Sequence, residues 1–160
     1  MLVIFDIFSR HSFLISTDVI ARNHCIREVM TSSNKLVKFT HGTTIEHASK
    51  EALKSFQPFF PVCLGEQVLG IVKRDYLIKS AYLTEDTLIN SVMTACSEKA
   101  LQTSDSLKEA VKKAVNEKEE YFIVCDEGSF QGIVTSDKLL DFILFKQTRN
   151  KIATQNLHFD

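Results

Sequence analysis

Few residues in this chain have types and neighbours that could do chemistry, and they fall into three groups. His41 and His47 lie close in sequence, but no ligand set at metal-binding spacing surrounds them, so no metal is expected. Cys63 and Cys125 belong to a set of four cysteines with no CxxC pair; in a chain this long they read as reduced, mostly buried thiols, which points to the cytoplasm. The third group is more suggestive. Asp75 follows Lys73 and Arg74, and Asp137 follows Thr135 and Ser136 and precedes Lys138, each where an apolar helical pattern begins. A carboxylate with hydroxyls and cations at a helix start can cap the helix, or it can join the first-turn N–H groups in holding a polar, anionic ligand. No Ser-His-Asp, Cys-His or paired-carboxylate arrangement accompanies these groups, so the chain is not read as an enzyme.

The elements that position these residues occur twice. The stretch from Thr43 to Ile78 aligns without a gap with that from Asp105 to Leu140, at an offset of about 62 residues. In the first copy Phe59-Phe60-Pro61-Val62-Cys63 leads to Val68-Leu69-Gly70-Ile71-Val72 and then to Asp75. In the second, Tyr121-Phe122-Ile123-Val124-Cys125 leads to Phe130-Gln131-Gly132-Ile133-Val134 and then to Asp137. Val29-Met30-Thr31 and Val92-Met93-Thr94 pair upstream with one residue more between them. Ile45, Ala48, Ala52, Leu53 and Phe56 recur at helical spacing, as do Leu107, Ala110, Val111, Ala114 and Val115. Thr43-Thr44 with Glu46 and Asp105-Ser106 with Glu109 are the expected caps. Two short strands joined by a turn follow each helix, and a second helix opens near Asp75 or Asp137.

Composition frames this pattern. The 160 residues are 44% hydrophobic, enough for one good core or two small fused ones. A formal net charge of -1 gives no basic excess for nucleic acid. The mixed-sign run from Lys112 to Glu120 reads as a solvated helix face. The apolar start from Met1 to Phe8 has no preceding positive region and is broken by Asp6 and Arg10, so it reads as neither a signal peptide nor a membrane span.

The order strand, helix, strand, strand, helix in both copies resembles the CBS domain family. The likeness rests on Val29-Met30-Thr31 and Val92-Met93-Thr94, on Phe60-Pro61-Val62 and Phe122-Ile123-Val124, and on Gly70-Ile71-Val72 and Gly132-Ile133-Val134. It implies an α+β fold of tandem repeats packed as a pseudo-twofold pair, a Bateman module. The organisation expected is an apolar extension at 1–24, forming an extra strand or helix, repeats at 25–83 and 84–146, and a polar tail at 147–160. It also implies a regulatory module without a required cofactor, sensing AMP, ADP, ATP or S-adenosylmethionine in the cleft between the copies and modulating a partner protein. A degenerate, ligand-free interaction module is the alternative.

The family often carries Gly-x-x-Thr/Ser-x-x-Asp at the last helix, its hydroxyl and carboxylate meeting ribose or phosphate. Gly132 and Thr135 match, but Lys138 stands where the Asp is expected; in copy one Lys73 replaces the hydroxyl and Tyr76 the carboxylate. Asp75 and Asp137 come one residue early, a rotation of about 100° around a helix. Two readings of Asp137 stay open: with Ser136 it caps the helix, as Asp75 does in copy one, or it faces the ligand while Lys73, Arg74 or Lys138 reaches phosphate oxygens. The resemblance further places Thr31 and Thr94 beside the adenine. A homodimer is expected through the last helices, where Phe142, Ile143, Leu144 and Phe145 are apolar over more than one face.

Overall fold

The computed structural model describes residues 15–80, 82, 86–96 and 100–156. Residues 15–23 are helical (α1). There follow β1 (Thr31–Ser32), β2 (Phe39–Thr40), α2 (Ile45–Leu53), β3 (Phe59–Leu64), β4 (Gln67–Lys73) and α3 (Arg74–Lys79). The second copy supplies β5 (Thr94–Ala95), α4 (Lys108–Asn116), β6 (Tyr121–Asp126), β7 (Ser129–Thr135) and α5 (Ser136–Asn156). The α+β order expected from the two periodicities is therefore present in both copies.

Each copy's hairpin belongs to a separate sheet. One sheet runs β2-β3-β4-β5, with β2 parallel to β3 and the other neighbours antiparallel; the other runs β1-β7-β6. Across the first hairpin Phe60 opposes Val72 and Val62 opposes Gly70. The second hairpin turns through Glu127 at φ 50° and Gly128 at φ 80°, two left-handed residues that match the twist of the flanking strands.

The packing bodies cut across the sequence copies. The described residues up to Met30, those of Leu101–Val124 and those from Ile133 onward form one compact unit; Thr31–Ala100 with Cys125–Gly132 form the other. In the first unit, a 3-10 turn at Ile26–Glu28 docks on the approach to α4. The Ile26 N–H donates to the Asp105 carbonyl at 2.9 Å, Arg27 N–H to Thr103 at 3.0 Å, and Leu107 N–H back to His24 at 3.0 Å. Ile26 and Val29 thereby join Ile20, Leu107, Ala110, Val124, Val134, Leu139 and Ile143 in one core. The second unit repeats this with the roles reversed. The turn Ile89–Ser91 docks on the approach to α2, Ile89 N–H donating to Thr43 and Ile45 N–H to Thr87, both at 2.8 Å. Ile89 then packs among Phe39, Ala48, Ala52, Phe60, Val62, Val72 and Leu77. Each copy's lead-in segment thus completes the core of the other copy's helix and hairpin.

Several expectations need correcting. The α2 face that is buried consists of Ile45, Ala48, Ser49 and Ala52, while Leu53 is exposed and Phe56 is 101% exposed. The helix ends at Leu53, with Lys54 as its C-cap, so Phe56 no longer follows the helical phase. Val115 is exposed at the equivalent place in α4. In α5, Ile143 is buried and Phe142 packs against the core, leaving only Leu144 and Phe145 of the four apolar residues exposed. Residues 147–156, expected as a polar tail, continue α5, and the buried Gln147 amide donates to Thr17 of α1 at 2.9 Å. The expected N-terminal extension is helical over 15–23, with Ile20 and Ala21 in the first unit's core; its residues 1–14 lie outside the described residues.

Candidate functional site

The two glycines of the Gly-Ile-Val triplets are fixed by close backbone approach. A Cβ on Gly132 would lie 2.2 Å from the Thr31 carbonyl oxygen, and one on Gly70 would lie 2.6 Å from that of Thr94. These distances are too short for any side chain while the neighbour is backbone. Thr94 opposes Ile71 across β4 and β5. Thr31 and Thr94 are therefore both held at the glycine of the other copy's exit strand, Thr31 half-buried and Thr94 exposed. All four residues belong to the second unit.

At the start of α5, Thr135 is the capping residue. Its Oγ1 accepts the Lys138 N–H at 3.3 Å, satisfying one of the first-turn donors. Ser136 turns the other way: its N–H donates to the Glu120 carbonyl at 3.0 Å and its hydroxyl to the Glu119 carbonyl. The expected cap by Asp137 and Ser136 is thus replaced by Thr135, because the hydroxyl sits three residues before the N–H it meets. Asp137 and Lys138 are exposed in the first turn, where a carboxylate is favoured by the helix dipole.

Copy one builds the same joint from different groups. Lys73 precedes α3 without a side-chain cap, and Asp75 is exposed in the first turn rather than capping it. The Arg74 N–H donates to the Pro58 carbonyl at 2.8 Å, the counterpart of Ser136 N–H on Glu120. Its Nε donates to the Ala52 and Ser55 carbonyls at 3.1 and 2.8 Å, tying α3 to the end of α2. Arg74 is thereby engaged in the scaffold. Of the residues expected to meet a ligand, Thr135, Ser136, Asp137 and Lys138 lie in the first unit; Thr31, Lys73, Arg74, Asp75 and Thr94 lie in the second.

The helix caps divide likewise. Thr44 Oγ1 accepts the His47 N–H at 3.3 Å as expected. Asp105 instead accepts from the Gln102 N–H at 2.8 Å, closing the turn before α4. One clasp had no distinctive sequence signal. Glu28 accepts the Cys25 N–H at 2.8 Å and meets His24 Nδ1 at 3.0 Å. These contacts, the Cys25 bond first, hold its carboxyl below the usual range. A T-shaped contact of His24 with Phe142 at 5.3 Å joins this clasp to α5.

The four cysteines are free. Burial raises the Cys63 and Cys125 thiols, and Cys96 is pushed up to about 11, by burial first and then by the Cys125 and Cys63 thiols. Cys96 is exposed as a residue, so the desolvation is local to its sulfur. Among the described residues, no three His, Cys, Asp or Glu side chains group as a metal site.

No protein-family model matches the sequence, and no curated protein is similar to it. Solved structures are similar in fold. A CBS domain-containing protein of unknown function from Bacillus anthracis str. Ames Ancestor superposes with a TM-score of 0.67 at 22% identity, over 79% of this chain and 96% of that one. The CBS domain of the bacterial CNNM/CorC family Mg2+ transporter in complex with ATP gives 0.71 at 19%, over 84% and 97%. CBSX2 in complex with AMP gives 0.64 at 20%, over 78% and 98%. With the doubled strand-helix-hairpin-helix order and the glycines at which each lead-in segment crosses the other copy, the chain has the fold of the CBS domain pair proteins.

Proposed function

We propose that the chain is a non-catalytic regulatory module that binds an adenosine-containing ligand, AMP, ADP, ATP or S-adenosylmethionine, and modulates a partner protein in the cytoplasm as a homodimer. The observation that carries this reading is that neighbours of the same fold were solved with ATP and with AMP. The start of α5 supports it: Asp137 and Lys138 are exposed in a first turn with N–H groups, beside Thr135, able to meet ribose hydroxyls and a phosphate. Thr31 and Thr94 at the two glycines, and Lys73 and Asp75 at α3, are the second set of contacts. Arg74, engaged with α2, acts as a positioning residue there.

Thermal unfolding against AMP, ADP, ATP, S-adenosylmethionine, NAD and cyclic dinucleotides tests this, in protein first checked to be free of co-purified nucleotide. A ligand at a hundredfold over its dissociation constant adds about 2.7 kcal/mol and raises the midpoint by roughly 5 to 10 °C. Asp137→Ala should weaken binding about tenfold or more while changing stability by under about 1 kcal/mol. Thr135→Ala should lower both affinity and, by about 1 kcal/mol, stability. Cys63→Ala should leave affinity unchanged.

A flat panel would favour a ligand-free interaction module. That second reading is supported by the Thr135 hydroxyl being used as a cap and by Lys138 and Tyr76 standing where the family places a carboxylate.

A further inference from the structure

The repeat serves as its own control for the thiols. Cys63 and Cys125 are equivalent positions, whereas Cys96 stands where the first copy has Ser33, so the repeat does not require it. All three belong to the second unit. Strand register fixes where they stand. Val62, Gly70 and Ala95 oppose one another across β3, β4 and β5, and Val62 lies in the core. Cys63 and Cys96 follow Val62 and Ala95 on two strands that run the same way, so both belong to the opposite face of the sheet. There Cys63 opposes Val68, and the Cys96 N–H donates to the Leu69 carbonyl at 3.0 Å. With β4 between them their Cα atoms are about 10 Å apart, beyond the reach of a disulfide. Cys125, last but one in β6, is brought in by the second hairpin: just past its turn the Phe130 N–H donates at 3.2 Å to the carbonyl of Glu66, in the turn of the first. The Cys125 thiol raises those of both Cys63 and Cys96, and so neighbours both. Cys63 is buried and paired on either side, with Thr40 and Val68. Cys96 is exposed and directly follows a two-residue strand at the edge of the sheet. Of the two, Cys96 has the backbone that can shift towards bonding geometry.

We propose that Cys96 and Cys125 are a peroxide-responsive thiol pair that closes to an intramolecular disulfide. The peroxide O–O bond breaks as one oxygen bonds to Cys125 Sγ, giving a sulfenic acid and a first water. Cys96 Sγ then attacks Cys125 Sγ; the S–S bond forms, the S–O bond breaks, and the hydroxide leaves with the Cys96 proton as a second water. Two thiols are oxidised and one peroxide is reduced to two waters. Because burial raises both thiols, closure should be slow at neutral pH and quicken as pH rises. In a reducing compartment such a bond is transient and redox-sensing rather than structural.

The test exposes the full chain, reduced and freed of reductant, to hydrogen peroxide and maps its peptides without reductant. The expected result is a peptide pair joined through Cys96 and Cys125, the loss of two of the four free thiols, and the return of both with dithiothreitol. Cys96→Ser should abolish the cross-link and leave a Cys125 sulfenic acid that dimedone labels; Cys125→Ser should abolish cross-link and label alike. Cys25→Ser and Cys63→Ser should leave the cross-link unchanged, with circular dichroism confirming the fold of each variant. A cross-link through Cys63, a link between two chains, or oxidation of the parent's Cys125 to sulfinic acid with no cross-link would overturn the pair. No nucleotide enters this experiment, so ligand sensing stands or falls separately.

Discussion

The glycines show most plainly how one atom sets the design. At Gly132 and Gly70 the missing Cβ leaves room for the Thr31 and Thr94 carbonyls, so alanine at either site forces two backbone segments apart. Overpacking of this kind costs about 1 to 3 kcal/mol, expected as a lowered urea midpoint for Gly70→Ala and a larger fall for Gly132→Ala. Gly42→Ala is the control, since a Cβ there meets nothing within 4 Å. An equal loss at all three would mean that the close approaches do not govern stability. Cys96 provides a second residue-scale outcome. Its thiol, pushed up to about 11, is protonated at neutral pH. Its iodoacetamide alkylation, followed by peptide mass spectrometry, should be slow at pH 7 and rise with a midpoint near 11 despite the residue's exposure. A midpoint near that of free cysteine would contradict the desolvation of its sulfur.

At the scale of elements, the joint between hairpin and last helix is built by unlike residues in the two copies. Arg74 reaches two carbonyls at the end of α2, one of them part of the helix's last turn, whereas Ser136 reaches one carbonyl with a hydroxyl. Hydrogen bonds from a charged donor are the stronger kind. Arg74→Ala should therefore cost about 1.5 to 3 kcal/mol, lowering the thermal midpoint by roughly 3 to 10 °C, and Ser136→Ala about 1 kcal/mol. Arg74→Lys should recover only part, because an ammonium on a flexible stem does not reproduce the guanidinium geometry. Calorimetry of the three variants decides the order, and a harmless Arg74→Ala would remove the joint as a stabilising contact. This joint also marks what the sequence could convey. The continuous apolar run Phe59–Leu64 and the helical spacing of Ile45, Ala48 and Ala52 are local, and they order the elements and locate the candidate helix starts. The choice of Thr135 over Asp137 as cap was not legible, because both residues favour helix starts and only backbone dihedrals separate them. The reach of Arg74 to the Ala52 carbonyl, 22 residues away, was not legible either, because a long side chain's contact leaves no periodic trace. Phe56 was misplaced because apolar spacing continues past the point where the backbone leaves the helix.

For the whole molecule, the exchange of lead-in segments means that a sequence copy is not a folding unit. The fragment 25–83 contains α2, the first hairpin and α3 but lacks Ile89, which is fully buried in their core, and the Thr87 carbonyl that receives the Ile45 N–H. Burying an isoleucine side chain contributes about 1.5 to 3 kcal/mol, and the partly buried Val92 and Met93 are lost with it. For a piece of this size such a loss is a large share of all the stability available. The fragment also retains Ile26 and Val29, whose partners Leu107, Ala110 and Val124 are absent, so their apolar surface stays wet. The fragment 31–100 removes the second problem and repairs the first, restoring Ile89, the Thr43–Ile89 and Thr87–Ile45 bonds, and β5 against Gly70. Urea titration followed by circular dichroism should give a cooperative transition for 31–100 and a sloping, non-cooperative change for 25–83. A cooperative transition of equal midpoint in 25–83 would show that each sequence copy closes its own core, and the exchanged segments would then be an addition to the repeat rather than the condition for its folding.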